Sequence, residues 1–225
     1  MSARLPHRIP SHRPQTHSTP AVPASRPAHG YRRRGEIRSQ GGSSGFALDV
    51  WHEPADERGP VRYIEQSPGS GYVHPVTVDE IRDRLAEIPT EFTERLEVVQ
   101  LSTLTRRRRS FPCYGMQWGV AVYLYPVEQN LVEQYVRPPN PQQQIEARMF
   151  GGVWVPKGKG AELRWTESTI RDFYLNNVLI HEVGHLVDDR NRSPRDRERY
   201  ANWFAIEYGY KPTGGRNRFR SEAIC

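Results

Sequence analysis

The apolar positions of this chain follow helical spacing most clearly between residues 167 and 189. Leu175, Leu179, Val183 and Leu186 recur every three or four residues and form one apolar stripe. The opposite face carries Tyr174, Val178, His181, His185 and Asp188. Because the segment also lacks an internal proline, the pattern predicts an amphipathic helix with one side on a core and the other side on a cleft.

The residues after this helix predict a turn and a second helix. Residues 189–192 are all polar, as in a turn. Ser193, Pro194 and the acid Asp196 form a strong helix start, with the serine as N-cap and the proline at the first helical position. The second helix should run to about Tyr208, and Gly209 can close it.

Upstream, the pattern predicts one helix and several short strands. Thr77 and Glu80 form a capping box that opens a helix ending before Pro89. We predict strands at 96–101, 119–125, 131–136, 149–155 and 161–165, a loop at 138–141 and a solvated hairpin tip at 106–109. Gly151–Trp154 is predicted to be the strand at the edge of the cleft. The fold class is therefore α+β, with a small twisted mixed sheet packed on the 167–189 helix.

The first 45 residues differ in composition from the remainder. Prolines and arginines recur every few residues and apolar residues are rare, so this stretch cannot bury enough surface to offset its ordering entropy. Its net charge is about +7, against +6 for the whole chain, so the basicity belongs to this stretch. We predict a disordered basic tail over residues 1–45 and one domain over residues 46–225. Nucleic acid or an acidic partner would bind only through the tail.

The composition also bears on localisation. Prolines and arginines interrupt every apolar run after Met1, so no secretory signal is expected. No apolar run reaches the ~18 residues that a membrane span needs. Two cysteines, Cys113 and Cys225, do not suggest a disulfide framework. The sequence therefore predicts a cytoplasmic protein that does not enter a membrane, and it leaves the oligomeric state open.

Five residues carry the clearest chemistry, because His181-Glu182-Val183-Gly184-His185 spell H-E-x-x-H. Two histidines four positions apart on a helix share a face and can reach one metal ion. Glu182 is then placed to hold a water molecule and take its proton. Gly184 costs about 1 kcal/mol relative to alanine in a helix interior, which suggests that another segment passes close by. The alternative interpretation is that both histidines are polar residues on a solvated face.

A catalytic zinc needs three protein ligands and one open position, so a third ligand is expected downstream. Glu198 is the best candidate, Glu207 and Asp188 are weaker ones, and a solvated Glu198 paired with an arginine is the other interpretation. Asn202 shares the face of Glu198 and could orient a ligand histidine through its second ring nitrogen. Asp188 could support His185 in the same way, or finish the helix.

The H-E-x-x-H motif and the residues that follow it resemble those of known metallopeptidases. HEVGH followed by a helical glutamate resembles the gluzincin arrangement, and the segment 176–210 is similar to the ImmA/IrrE family of small metallopeptidases. That family has a helix reading approximately E-x-E-A-N-x-F-A, which is matched by Glu198, Ala201, Asn202, Phe204 and Ala205, while Tyr200 replaces the second acid. Val187-Asp188-Asp189 also resembles the catalytic domain of anthrax lethal factor, whose alignment would put Asn202 where the ligand glutamate belongs. The resemblance implies a minimal zincin-like domain.

The expected function is that of a zinc-dependent endopeptidase acting on a specific protein or peptide substrate, with Glu182 as general base. The candidate donors to the developing oxyanion are Tyr174, Tyr200, Tyr208, His52 and His74. The same ligands could hold manganese, iron or cobalt. The alternative function is that of a catalytically silent zinc-binding regulator or scaffold that acts through its basic tail.

Overall fold

The structure, a computed structural model, describes residues 51–55, 59–105 and 113–213. The predicted tail and the predicted hairpin tip at 106–109 lie outside the described residues. Over the described ranges, no helix combines the length and apolar character needed to cross a bilayer.

The described residues form short strands and helices in mixed order. The strands are β1 (Arg62–Glu65), β2 (Tyr72–Val73), β3 (Val98–Leu101), β4 (Gly115–Trp118), β5 (Ala121–Leu124), β6 (Val127–Glu128), β7 (Val132–Tyr135), β8 (Val153–Lys157) and β9 (Gly160–Arg164). The α-helices are α1 (Val78–Ala86), α2 (Pro141–Met149), α3 (Glu167–Phe173), α4 (Leu179–Val187) and α5 (Pro194–Phe204). A π-helical segment, Tyr174–Val178, joins α3 to α4, and another, Ala205–Tyr210, continues α5.

The strands form a mixed main sheet and two smaller antiparallel sheets. The main sheet has the order β1-β3-β5-β4, in which the first three strands are parallel and β4 is antiparallel to β5. The smaller sheets are β2-β6 and β7-β9-β8. The predicted α+β class is therefore confirmed.

The two faces of the main sheet bury different clusters, because side chains alternate along each strand. Val99 and Leu101 of β3 face the larger core, which also contains Leu179 and Val183 of α4. Val98 faces the opposite side, in a smaller cluster that Trp51 partly covers. The main sheet therefore packs one face on α4, as predicted.

The predicted helix over residues 167–189 is present, with two differences. It is continuous from α3 to α4, but the π-helical segment interrupts its regular spacing, which the sequence did not indicate. Every residue from Leu179 to Leu186 is buried, so α4 is covered on all sides rather than amphipathic. Asp188 leaves the helix in an extended conformation.

One predicted loop is wrong. Asn140 accepts a hydrogen bond from the backbone N–H of Gln143 and forms a capping box that opens α2 at Pro141. The prolines around Asn140 suggested a loop, but asparagine followed by proline is also a helix start. Met149 consequently belongs to α2, and the predicted strand at 149–155 begins only at Val153. The other predicted strands are present within a few residues, whereas β1, β2, β4 and β6 were not predicted.

Candidate metal centre

The three predicted ligands converge. The Nε2 atom of His181 lies 3.6 Å from Oε2 of Glu198, and Nε2 of His185 lies 3.5 Å from Oε1 of the same carboxylate. The ligand atoms of these three side chains all lie within 4.8 Å of one another. Atoms held about 2 Å from one tetrahedral zinc ion lie about 3.4 Å apart, so the measured spacings fit a single ion.

Both histidines are buried, which overturns the solvated-face interpretation. Their exposed fractions are 0% for His181 and 4% for His185, and Glu182 between them is also at 0%. Buried imidazole nitrogens normally have hydrogen-bond partners. Neither ring nitrogen of His185 has one among the described residues. Coordination of a metal ion by Nε2 would supply the missing partner, so this arrangement fits a ligand set.

The electrostatics of His181 favour the form that binds a metal. Burial, followed by the neighbouring His185, holds the pKa of His181 well below its usual value. Asn202 opposes this shift more weakly by hydrogen bonding to the ring, so the predicted contact between Asn202 and a ligand histidine has support. The neutral imidazole that results is the form that coordinates metals.

Two glycines allow the helix that bears Glu198 to approach the motif helix, which is α4 with the H-E-x-x-H residues together with the π-helical segment before it. A Cβ atom on Gly184 would lie 3.0 Å from Cα of Ala201 and 3.0 Å from Cβ of Phe204, both on α5. The expectation of a close neighbour at Gly184 is thereby confirmed. Gly209 does not end its helix as predicted, because it lies inside the second π-helical segment. A Cβ there would lie 1.9 Å from the backbone oxygen of Asn176.

The strand next to Glu182 is β4, not the predicted Gly151–Trp154. A Cβ on Gly115 would lie 3.0 Å from both Cγ and Oε1 of Glu182. Among the described strands, β4 is an edge strand of the main sheet, whereas β8 is an edge strand of a different sheet. Gly115 itself was the available signal, since a glycine in a strand often marks the close approach of another group.

Asp188 has a role other than ligand or support for His185. Its carboxylate accepts hydrogen bonds from the backbone N–H of Asn191 at 3.1 Å and from the side-chain amide of Asn191 at 3.0 Å. Asp188 therefore closes the turn between α4 and α5. Glu207, the other weaker ligand candidate, forms an ion pair with Lys211, in which Oε1 of Glu207 lies 2.5 Å from Nζ of Lys211.

The tyrosines and histidines considered as oxyanion donors make other contacts. Tyr174 is fully buried and donates to the backbone oxygen of Tyr125 at 2.6 Å. His52 contacts Gln100 on the far face of the main sheet, and His74 contacts the backbone oxygen of Gln66. The rings of Tyr200 and Tyr208 pack against Phe204. The described contacts bring none of these five side chains to the histidine pair.

Comparisons with protein-family models, with curated proteins and with solved structures find no match to this chain. The site is therefore characterised by its own geometry: two buried imidazoles, a facing carboxylate and a buried glutamate beside an edge strand.

Proposed function

We propose that this protein is a zinc-dependent endopeptidase with His181, His185 and Glu198 as metal ligands. The observation that carries the proposal is that Glu198 of α5 converges with His181 and His185 of α4, the helix that also bears Glu182. Two histidines and one glutamate leave a fourth position open, which is the arrangement of catalytic rather than structural zinc. Bound zinc would polarise the scissile carbonyl and lower the pKa of a water molecule to about 7.

Glu182 is the proposed general base. It takes a proton from the attacking water and passes it to the leaving amine. The contact with Gly115 supports this role, because a side chain at that position would fill the space against the Glu182 carboxylate. The backbone of β4 then offers an edge along which an extended peptide can add as a further strand. A specific protein or peptide segment is accordingly the proposed substrate.

Metal content tests the ligand set. Elemental analysis of the whole chain should find zinc in the wild-type protein and a marked loss in Glu198→Ala. Glu207→Ala is a matched control, because the two side chains have exposed fractions of 32% and 31% on the same continuous helix. Equal zinc in all three proteins would remove Glu198 from the ligand set.

Activity tests the general base. Glu182→Gln should retain zinc and cleave a quenched-fluorescent peptide library roughly 10²–10⁴-fold more slowly than the wild-type protein, since the amide cannot accept the proton. Cleavage at an unchanged rate would contradict the assignment.

The second candidate function is that of a silent zinc-binding regulator acting through its basic tail. The burial of the site favours it, because His181 and Glu182 have no exposed surface, whereas the side chain of Glu198 is 32% exposed. For such a protein, zinc would still bind, but the wild-type chain and Glu182→Gln would not differ in the cleavage of any peptide in the library. The isolated tail would then retain the partners of the whole chain in a pull-down.

A further inference from the structure

The position of Glu198 raises a physical problem that its own contacts do not solve. The Glu198 side chain is 32% exposed, and it belongs to a different helix from the two histidines. Immobilising a long glutamate side chain costs up to about 2 kcal/mol of rotamer entropy. A ligand of this kind is held accurately only when its backbone is fixed close to the other ligands.

Arg197 provides such a connection. Its Nη2 atom donates a hydrogen bond to the backbone oxygen of His185 at 3.1 Å. Arg197 directly precedes Glu198, so this bond joins the backbone of the second histidine to the residue next to the third ligand. The Nε atom of Arg197 is buried without a hydrogen-bond partner among the described residues. The bond to His185 therefore helps to compensate a partly buried guanidinium.

The end of α4 makes the carbonyl of His185 available. In a continuing helix, the backbone N–H of Asp189 would bond to this oxygen. Here α4 ends at Val187, and the N–H of Asp189 bonds to the oxygen of Val187 instead. The carbonyl of His185 is consequently one of the groups that a helix end leaves open. A cationic donor is favoured there by the helix dipole as well.

The neighbouring arginines of α5 differ from Arg197. Arg195 is exposed, and the Arg199 side chain is 74% exposed and lies 3.8 Å from Asp196 on its own helix. They share the helix and the charge of Arg197 but are directed to solvent. They are therefore matched controls.

We infer that Arg197 is a positioning residue for metal binding, which sets the distance from Glu198 to His185 without contacting the ion. This inference rests on the proposed metal site. Partners that orient metal ligands typically contribute 10–100-fold to metal affinity. Arg197→Met, which retains much of the side-chain length but not the donor, should weaken zinc affinity by roughly that factor.

Zinc affinity, measured by chelator competition, tests the inference on folded proteins. Arg197→Met should lose affinity, Arg197→Lys should recover part of it, and Arg195→Met and Arg199→Met should match the wild type. Cobalt(II) absorption provides a second measurement, because a displaced Glu198 would weaken the strong bands of four-coordinate cobalt. A merely structural role would lower the Tm of the metal-free protein without changing these bands.

The outcomes separate the two proposals. Zinc binding by the wild type, with equal affinity in Arg197→Met, would overturn the role of Arg197 and leave the metal site intact. Absence of zinc binding in the wild type would overturn both. Equal losses of zinc affinity in Arg195→Met and Arg197→Met would overturn the role of Arg197, since the change in net charge rather than the bond to His185 would then explain the weaker binding.

Discussion

At the scale of single residues, a few close contacts decide the geometry of the candidate site. Gly184 and Gly115 are the two glycines next to the site residues, and each lies where a Cβ atom would meet another segment at 3.0 Å or less. Gly184 brings α5 to the motif helix, and Gly115 brings β4 to Glu182. The placement of α5 and β4 next to the motif helix therefore depends on two residues without side chains.

Gly184→Ala should destabilise the protein despite the higher helix propensity of alanine. The new methyl group would press on the Cα atom of Ala201, and overpacking of this kind typically costs about 1–3 kcal/mol. Urea denaturation of the metal-free protein measures the change. Gly59→Ala is the control, since a Cβ there has no neighbour within 4 Å. Equal stability of both variants would contradict the packing argument.

The surroundings of Glu162 lead us to expect a pH dependence of folding stability that is independent of the metal. Hydrogen bonds from Lys157, Gln134 and Arg164 hold its pKa at about 2, below the usual 4.5. A carboxylate with a depressed pKa stabilises the folded state above the unfolded-state pKa, and this contribution disappears as the pH falls from about 4.5 through about 2.

Glu162→Gln should therefore be less stable than the wild type at neutral pH, with a difference that narrows on acidification. Chemical denaturation at a series of pH values between neutrality and the folded-state pKa measures this trend. Asp83→Asn, which also replaces a carboxylate by an amide but at an exposed position, provides the control for Glu162→Gln. A difference for Glu162→Gln that stays constant with pH would rule out the ionised carboxylate as its cause.

At the scale of elements, the caps and crossings of the helices decide where ligands lie. Ser193 caps α5 by accepting a hydrogen bond from the backbone N–H of Asp196, and Thr77 caps α1 in the same way through Glu80. Arg84 of α1 reaches both π-helical segments, since it donates to the Asn176 side chain and to the backbone oxygen of Tyr208. The two helices next to the site are therefore joined to each other by α1.

The two caps provide a matched pair of variants. Ser193→Ala and Thr77→Ala should each lose about 0.5–2 kcal/mol of stability, the usual contribution of an N-cap. Only Ser193→Ala should also weaken zinc binding, because α5 carries Glu198 and α1 carries no ligand. Denaturation and chelator competition on both variants measure the two effects. Unchanged zinc affinity in Ser193→Ala would show that the start of α5 does not position the ligand.

At the scale of the whole molecule, the site joins α4 and α5, which pack together on the larger core. An ion that binds only the folded chain should raise its stability by about 2.7 kcal/mol at a free concentration 100 times its Kd. Thermal unfolding with added zinc and with a chelator should therefore show a metal-dependent Tm for the wild type. The shift should shrink strongly in Glu198→Ala, and an equal shift in both proteins would place the ion elsewhere.

Local features were predictable because their causes are local. The capping box at Thr77, the start of α5 at Ser193 and the placement of His181 and His185 on one helical face depend on residues three or four positions apart. The π-helical segments and the strand β4 were not predicted. They depend on contacts such as that between Gly209 and Asn176, which no short stretch of sequence contains.

The sequence by itself therefore determined the α+β class, the motif helix and the pair of histidines, and it placed Glu198 first among the downstream acids. Only the tertiary structure decided that Glu198 rather than Glu207 or Asp188 faces both imidazoles, that the histidines are buried, and that β4 lies against Glu182. The physical reason is that hydrogen bonding and side-chain periodicity act within a segment. Burial and convergence, in contrast, require segments distant in sequence to pack together.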